Sequence, residues 1–179
     1  MVAIRADLTQ ELQSLLVFQK PIFIRIRPAN TEDIKLLSEL WLYQRHYHEQ
    51  WDNVYAMTAS AQQKWGEQLK KNLNQPNHHV LIAENRLGKV RGYVHGSFHL
   101  WPMSPFQHYG SLNTISVAEE AQGQGIGKKL VKTLLQWFER HQIQYISLHV
   151  DYRNKIALKL YHDMGFRPYQ QRLILNLHI

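Results

Sequence analysis

The chain has 179 residues, of which 44% are hydrophobic and 20% are charged, and its formal net charge at pH 7 is +7. This length and composition suit one globular domain with a sizeable core and exclude an intrinsically disordered chain. The sequence contains no run of about 18 apolar residues, so a membrane span is not expected. It also lacks cysteine, which excludes disulfides, zinc–thiolate sites and thiol nucleophiles.

The net positive charge indicates an anionic partner without identifying it. Nucleic acid, a phosphate-bearing cofactor and simple solubility would each account for this charge. The basic residues are spread along the chain with no run of five or more, so nucleic-acid binding is not expected. The first residues, MVAIRADLTQELQ, become acidic and polar too early for a secretory signal, which predicts a cytoplasmic location.

The first half of the chain predicts an extension followed by strands and helices. Residues 1–21 form the extension, in which the amphipathic segment Thr9–Phe18 predicts an extra helix ahead of a domain at 22–179. The next predicted elements are a strand at Ile22–Arg27 that Pro28 ends, a helix beginning at Thr31, a helix at Thr58–Leu73, and strands at His79–Glu84 and Lys89–Leu100. The stretch Trp101–Gly110, with two prolines, predicts a loop.

The second half alternates strand and helix signals more clearly. The predicted elements are a strand at Ser111–Val117, a helix at Gly125–His141, a strand at Gln144–Asp151, a helix at Asn154–Met164 that Gly165 ends, and a last strand at Leu173–Leu177. This order predicts a mixed sheet with helices packed on its faces.

A glycine-rich turn, Gln122–Lys129, connects the predicted strand at Ser111 to the following helix. Glycine lets the backbone approach a ligand closely, and the free N–H groups at a helix start favour an anion. Lys128 and Lys129 lie in the first helical turn, where each cation opposes the helix dipole by about 0.3–1 kcal/mol. A bound pyrophosphate would reverse that effect, whereas the glycines alone are also compatible with a tight turn that binds nothing.

Two common phosphate-binding motifs do not fit this turn. A Walker A loop needs glycine where Gln122 stands and serine or threonine where Lys129 stands. A dinucleotide fingerprint, G-x-G-x-x-G, reaches Lys128 when it starts at Gly123 and Leu130 when it starts at Gly125.

The pattern that does fit is Gln/Arg-x-x-Gly-x-Gly/Ala, at Gln122, Gly125 and Gly127. It resembles the coenzyme A pyrophosphate loop of the GNAT superfamily of acetyl-coenzyme A-dependent N-acetyltransferases. Downstream, residues 154–166 resemble that family's second cofactor segment, N-x-x-A-x-x-L/F-Y-x-x-x-G-F, and Ile24–Ala29 with the acids that follow resembles its opening strand and helix start. The resemblance covers roughly residues 22–179 and includes two ordered motifs.

The resemblance implies an α/β (α+β) GNAT fold. In this fold a mixed, mostly antiparallel sheet of six to seven strands is flanked by helices and splayed between strands 4 and 5, with the cofactor in the gap. It further implies an N-acetyltransferase that moves the acetyl group of acetyl-coenzyme A, the acyl-donor substrate, to a primary amine of a small molecule by direct attack in a ternary complex. A protein or peptide N-acetyltransferase and a catalytically weak coenzyme A-binding regulatory module are the alternatives, and a homodimer is compatible with all three.

The resemblance also implies roles for individual residues. The main chains of Ile115 and Val117 would bind the pantetheine arm, and Asn154 would contact the cofactor, although asparagine is equally suited to cap a helix. Tyr161 would be the general acid that protonates the thiolate leaving group, with a core aromatic as the alternative reading. The residues that would offer backbone N–H groups to the pyrophosphate are Gln122, Gly123, Gly125, Gly127 and Lys128.

The general base and the acceptor site are less defined. Relatives carry a glutamate near the start of the fourth strand, where Ser111 stands, so the base is open between Glu84, His95, His99, Asp52 and a water chain. Aromatic side chains together with Glu49 and Asp52 suit a cationic amine. The residues predicted to build the acceptor site are Trp41, Tyr43, His46, Tyr47, Glu49, Trp51, Asp52, Tyr55, Trp101 and Phe106.

The histidines do not predict a metal site. The run His46-Tyr47-His48-Glu49 has the wrong helical spacing for two ligands on one face, and no His-Glu-x-x-His motif is present. His78 and His79 precede a predicted strand and are expected at the surface. We therefore expect no metal.

Overall fold

The computed structural model describes residues 23–177, in which five strands form one sheet with helices on its two faces. The strands are β1 (Arg25–Pro28), β2 (His78–Glu84), β3 (Val90–Leu100), β4 (His108–Val117) and β5 (Ile146–Leu148). The helices are α1 (Ile34–Glu49), α2 (Ala61–Asn72), α3 (Ile126–Arg140) and α4 (Lys155–Asp163). The predicted helix at Thr9–Phe18 lies outside the described residues.

The sheet has the order β1-β2-β3-β4-β5, with antiparallel pairing throughout except between β4 and β5, which are parallel. The prediction of a mixed, mostly antiparallel sheet is confirmed. The number of strands is smaller than predicted, because Leu173–Leu177 carries no strand and its leucines are exposed. Alternating leucines are a local signal only, whereas a strand also needs backbone hydrogen bonds to a neighbour.

The sheet splays between β4 and β5, as predicted. Only Gly110, Ser111 and Leu112 of β4 have partners on β5. β4 continues to Val117, so its last five residues, Asn113–Val117, extend past the end of β5. A gap therefore opens along the second half of β4.

Two hydrophobic clusters pack against the two faces of the sheet. Val80, Ile82 and Tyr93 pack with Leu37 of α1 and Leu69 of α2. On the opposite face, the buried residues that pack around α3 are Leu81, Ala83, Val94, Leu112, Leu130, Leu134 and Phe138. Because side chains alternate along a strand, neighbouring residues of β2 and β3 serve opposite layers.

The start of α1 is tied to the sheet by charged side chains. Asn30 and Asp33 form a capping box at the short 3-10 turn Thr31–Asp33, which leads into α1. Arg27 Nη1 and Nη2 donate to Asp33 at 2.8 and 2.9 Å, and Arg27 Nε donates to Glu84 at 2.9 Å. Hydrogen bonds from Arg27 lower the pKa of both carboxyl groups in spite of their burial.

Two predicted boundaries move for physical reasons. Pro28 is the last residue of β1 instead of its stop, because β1 is an edge strand where a missing N–H is tolerated. β4 begins at His108, inside the predicted loop, since Gly110 pairs with both Phe98 and Ile146. No helix within residues 23–177 has the length and apolar character needed to cross a membrane.

Candidate active site

The free half of β4 forms one wall of the gap. The Ala118 N–H donates to the Arg91 carbonyl at 2.9 Å. Since backbone groups alternate in direction along a strand, those of Ile115 and Val117 point away from β3 and into the gap. Two glutamine side chains reach these carbonyls: Gln44 Nε2 donates to Ile115 O at 2.7 Å, and Gln122 Nε2 donates to Val117 O at 3.2 Å. The two predicted β4 positions thus face the gap, and α1 meets the gap through Gln44.

The glycine-rich turn leads from β4 into α3. Gly123 and Gly125 have φ values of 73° and 75°, in the left-handed region that favours glycine. Gly125 is the residue before α3, and no side chain caps this helix start. Gly127 lies against α4 and β4, because a Cβ there would meet Leu160 at 3.4 Å and Ile115 at 3.7 Å. Glycine at these positions brings the start of α3 to the mouth of the gap.

The start of α3 is electropositive. Its first N–H groups have no side-chain acceptor and carry the positive end of the helix dipole. The Lys128 and Lys129 side chains are exposed, and neither forms an ion pair with any residue between 23 and 177. The arrangement can therefore accept an anionic group such as a pyrophosphate, although the glycines and Lys128 remain predicted ligands.

Asn154 caps α4. Its Oδ1 accepts a hydrogen bond from the Ala157 N–H at 3.0 Å. The capping role considered from the sequence is confirmed, and it leaves the Asn154 amide nitrogen available to a ligand. A contact of Asn154 with the cofactor stays a prediction.

Tyr161 is buried on α4, with 7% of its surface exposed. It belongs to the same buried cluster as Ile126 and Leu130 of α3, and its ring makes an edge contact with Phe166 at a centroid distance of 5.8 Å. No residue in the described range hydrogen-bonds with the Tyr161 hydroxyl, and burial raises the pKa of this phenol to about 12. The hydroxyl therefore holds its proton at neutral pH, as a general acid must.

Two of the base candidates have other partners. Both oxygens of Glu84 are bound by guanidinium groups, Oε1 by Arg25 and Oε2 by Arg27. Asp52 caps the short 3-10 turn Asn53–Tyr55 by accepting from the Val54 N–H at 3.0 Å. Glu84 is therefore not free to collect a proton from an amine, whereas Asp52 keeps a half-exposed carboxylate whose Oδ2 lies 4.0 Å from Arg153 Nη2.

The remaining base candidates lie along β3. His99 is exposed, whereas His95 is buried and its Nε2 lies 2.9 Å from His78 Nδ1. The expectation that His78 and His79 precede a strand at the surface is wrong: both begin β2 and both are half-buried. His79 faces the opposite layer and stacks on Trp137 at 5.0 Å.

A clamp joins the α1–α2 connection to the β5–α4 connection. Tyr55 Oη donates to Asp151 Oδ2 at 2.7 Å, and Arg153 Nε donates to Asp151 Oδ1 at 2.9 Å. Arg153 Nη1 also donates to the Trp51 carbonyl. The sequence analysis did not identify Asp151 or Arg153 as site residues. An acidic and a basic residue within three positions before Asn154 were a signal that could have pointed to them.

The predicted acceptor residues come together only in part. Tyr47, Trp51 and Tyr55 cluster around His48, with ring centroids 4.9–6.1 Å apart. Glu49 accepts from the Met57 N–H at 2.9 Å and pairs with His46 at 2.8 Å. Trp41 instead stacks on Trp65 in the α1–α2 layer, and Trp101 and Phe106 are exposed on the β3–β4 loop.

Arginines already occupy the aromatic cluster. The guanidinium groups of Arg45 and Arg153 lie over the rings of Tyr55 and Trp51, at 5.2 and 5.9 Å. These contacts and the engaged Glu49 weaken the expectation that the cluster binds a cation. Nowhere between residues 23 and 177 do three or more His, Asp or Glu side chains form a group that could hold a metal ion.

Comparison with known proteins gives the site a family context. The model of the family described as "Acetyltransferase (GNAT) family" matches residues 37–166. The N-alpha-acetyltransferase RimI of Mycobacterium tuberculosis is 34% identical over 99 residues, which cover 55% of this chain and 58% of that protein. A mycothiol acetyltransferase of Renibacterium salmoninarum is 29% identical over 86 residues, which cover 48% of this chain and 25% of that protein. The chain thus spans less than two thirds of the length of either relative.

The same fold occurs in solved structures. A predicted acetyltransferase from Clostridium acetobutylicum, crystallised with acetyl-coenzyme A, superposes with a TM-score of 0.70 at 18% identity. The superposition covers 87% of this chain and 97% of that one. At this identity the likeness concerns the fold alone.

Proposed function

Since the chain belongs to the acetyltransferase (GNAT) family, we propose that it transfers the acetyl group of acetyl-coenzyme A to a primary amine of a small molecule. The observation that carries this proposal is the uncapped, exposed start of α3 at the mouth of the gap beside β4. Phosphate oxygens are the natural ligands of such a helix start. The edge of β4 that has no strand partner suits the amide groups of a pantetheine arm, which would compete with the Gln44 and Gln122 side chains for the carbonyls of Ile115 and Val117.

The chain's own residues support direct attack by the amine on the thioester. The sequence has no cysteine that could carry the acetyl group as a thioester intermediate. Tyr161 holds its proton at neutral pH and is suited to protonate the departing thiolate. The predicted pyrophosphate ligands at the α3 start would orient the donor, while the amine would approach from the side of the α1–α2 connection.

The amine of a protein N-terminus is the second candidate acceptor. The similarity to RimI, an N-alpha-acetyltransferase, favours it, whereas the similarity to mycothiol acetyltransferases favours a small molecule. Both acceptors are primary amines, so the same donor site would serve either reaction.

The test is a free-coenzyme A release assay with a panel of small amines and short peptides. We expect turnover with at least one small primary amine, and loss of turnover in Gly125→Glu, because that substitution puts a carboxylate and a strained backbone at the helix start. Turnover with peptides alone would support the second candidate. Tight coenzyme A binding without turnover would indicate the regulatory module and refute the enzymatic proposal.

A further inference from the structure

Arg45 of α1 lies in the aromatic cluster that Tyr47, Trp51 and Tyr55 form around His48. Its guanidinium group lies over the Tyr55 ring, 5.2 Å from the centroid. Its Nε is buried without a hydrogen-bond partner, and Arg45 takes part in none of the ion pairs of the described chain. A ring contact, and not an oxygen atom of the protein, therefore holds this cation in place.

Arg45 differs in this respect from arginines that are buried to a similar extent. In the part of the chain that the structure describes, the other half-buried arginines are Arg27, Arg91 and Arg153. Each of these three pairs with a carboxylate. Taking a guanidinium group partly out of water is unfavourable unless an anion compensates its charge. The described chain supplies such an anion to the other three arginines but not to Arg45.

The carboxylates closest to the aromatic cluster have partners other than Arg45. Glu49 binds a backbone N–H group and His46. Asp52 caps the 3-10 turn that follows α1, and Asp151 is bound by Arg153. None of these three acids compensates the charge of Arg45, so an anionic group of a ligand would not have to displace a carboxylate from it.

The fold places Arg45 beside the gap. Gln44, its neighbour on α1, donates to the Ile115 carbonyl on the β4 side of the gap. Tyr55, whose ring lies against the Arg45 guanidinium group, donates to Asp151, three residues after the end of β5. Arg45 therefore adjoins a contact on each side of the gap. It belongs to the side from which the amine is proposed to approach.

A guanidinium group in this position favours a carboxylate. Its N–H donors form a planar fork that matches the two oxygens of a carboxylate. The contact with the Tyr55 ring provides no oxygen atom for these donors. A second cation would be repelled by Arg45, whereas an amine with a carboxylate of its own would bring the missing anion.

We propose that the acceptor is a small amino acid, with a primary amine and a carboxylate in one molecule, and that Arg45 recognises the carboxylate. This inference rests on the proposed function. Arg45 would bind the carboxylate and thereby direct the amine at the other end of the molecule to the thioester. At the N-terminus of a protein, a peptide bond replaces the carboxylate of the first residue. Arg45 would thus favour the small molecule over the protein N-terminus.

The test measures coenzyme A release with pairs of amines that differ in the carboxylate. Glycine, β-alanine and γ-aminobutyrate are each compared with the corresponding amide, and kcat/KM is expressed per unprotonated amine because the two groups change the pKa of the amine differently. We expect the best amino acid to exceed its amide roughly 10- to 100-fold in kcat/KM, as hydrogen bonds to a charged group would give. A higher kcat/KM for 2-aminoethylphosphonate than for every carboxylate would refute the choice of a carboxylate.

Three variants connect this preference to Arg45. Arg45→Gln should lower kcat/KM for the amino acid to about that of the amide and leave the amide unaffected. Arg45→Lys keeps the charge but loses the planar fork, so it should keep part of the preference. Arg140→Gln is the matched control, because it removes the same charge from the last residue of α3, in the layer on the opposite face of the sheet, and should keep the full preference.

Circular dichroism and the KM for acetyl-coenzyme A establish whether each variant is folded and binds the donor. If Arg45→Gln does not fold, the paired amines with the wild type and with Arg45→Lys still decide the question. A wild type that uses the amides as well as the amino acids, or a folded Arg45→Gln that keeps the preference, overturns this inference alone. A wild type that releases no coenzyme A with any acceptor overturns the proposed function, and this inference with it.

Discussion

At the scale of single residues, the packing role of Tyr161 and its proposed role as a proton donor belong to separate parts of one side chain. Its ring belongs to the core around α3 and contacts Phe166. Its hydroxyl has no hydrogen-bond partner among residues 23–177, and burial raises its pKa to about 12. The two readings of the sequence, a core aromatic and a general acid, are therefore compatible with each other.

The substitution Tyr161→Phe separates these roles. We expect kcat to fall roughly 100- to 10,000-fold, because no proton is available for the leaving thiolate, while the melting temperature changes little because the ring stays in place. Tyr93→Phe is the matched control, since Tyr93 Oη is buried without a partner in the described structure and faces the α1–α2 layer. Equal kcat values for Tyr161→Phe and the wild type would contradict the general-acid assignment.

At the scale of elements, the connections around the gap are joined by side chains and not by the sheet. The Asp151 carboxylate accepts from Tyr55 on one side and from Arg153 on the other. These hydrogen bonds hold the pKa of Asp151 far below its usual range. The clamp fixes the α1–α2 connection, which carries three of the ten predicted acceptor residues, Trp51, Asp52 and Tyr55, next to Asn154 and the start of α4.

Asp151→Asn should therefore loosen the acceptor side more than the donor side. We expect the free energy of unfolding to fall by about 1.5–3 kcal/mol, because hydrogen bonds to a charged group are lost. We also expect the KM for the acceptor to rise more than the KM for acetyl-coenzyme A. Urea unfolding and steady-state kinetics measure both effects. Glu120→Gln removes two exposed ion pairs, with Arg91 and with Lys89, and should change stability by less than about 1 kcal/mol. Equal effects of the two substitutions on stability and on the acceptor KM would refute the role of the clamp in holding the acceptor side.

The elements that the sequence predicted well are those with a strong local signal. α3 carries Ile126, Leu130 and Leu134 at helical spacing, and all three are buried. The strand at Leu173–Leu177 also had a local signal, but a strand depends on a partner that its own residues do not specify. The bulge at Asn113 is likewise a property of the pairing between β3 and β4, so the sequence of β4 alone did not reveal it.

At the scale of the whole molecule, motifs that are continuous in sequence were easier to predict than contacts between distant segments. The α3 start and the Asn154 segment were identified because each is a short run of residues with a fixed spacing. The bond between His78 and His95 spans 17 residues, and that between Tyr55 and Asp151 spans 96. Such pairs can be predicted only once the order of the strands is known. The sequence alone therefore left the general base open between four side chains and a water chain.

The pH dependence of stability tests whether burial lowers the pKa of His95. The pKa of His95 is about 4 in the folded protein and 6.5 ordinarily, so the unfolded chain binds more protons between these pH values. The stabilisation from neutral His95 is fully present above pH 6.5 and is lost progressively towards pH 4, by up to about 3 kcal/mol. The lowered pKa values of Asp33 and Glu84 add a second loss only at lower pH, where these carboxylates become protonated.

The free energy of unfolding, measured in urea with tryptophan fluorescence at pH 7.5, 6.5, 5.5 and 4.5, should therefore fall for the wild type over this range. His95→Gln removes the titrating group, so its stability should depend less on pH and the difference from the wild type should narrow as the pH falls. Glu84→Gln, in contrast, should run parallel to the wild type above about pH 5.5, because the Glu84 carboxylate is ionised there in both the folded and the unfolded chain. Parallel curves for His95→Gln and the wild type would mean that folding does not lower the pKa of His95.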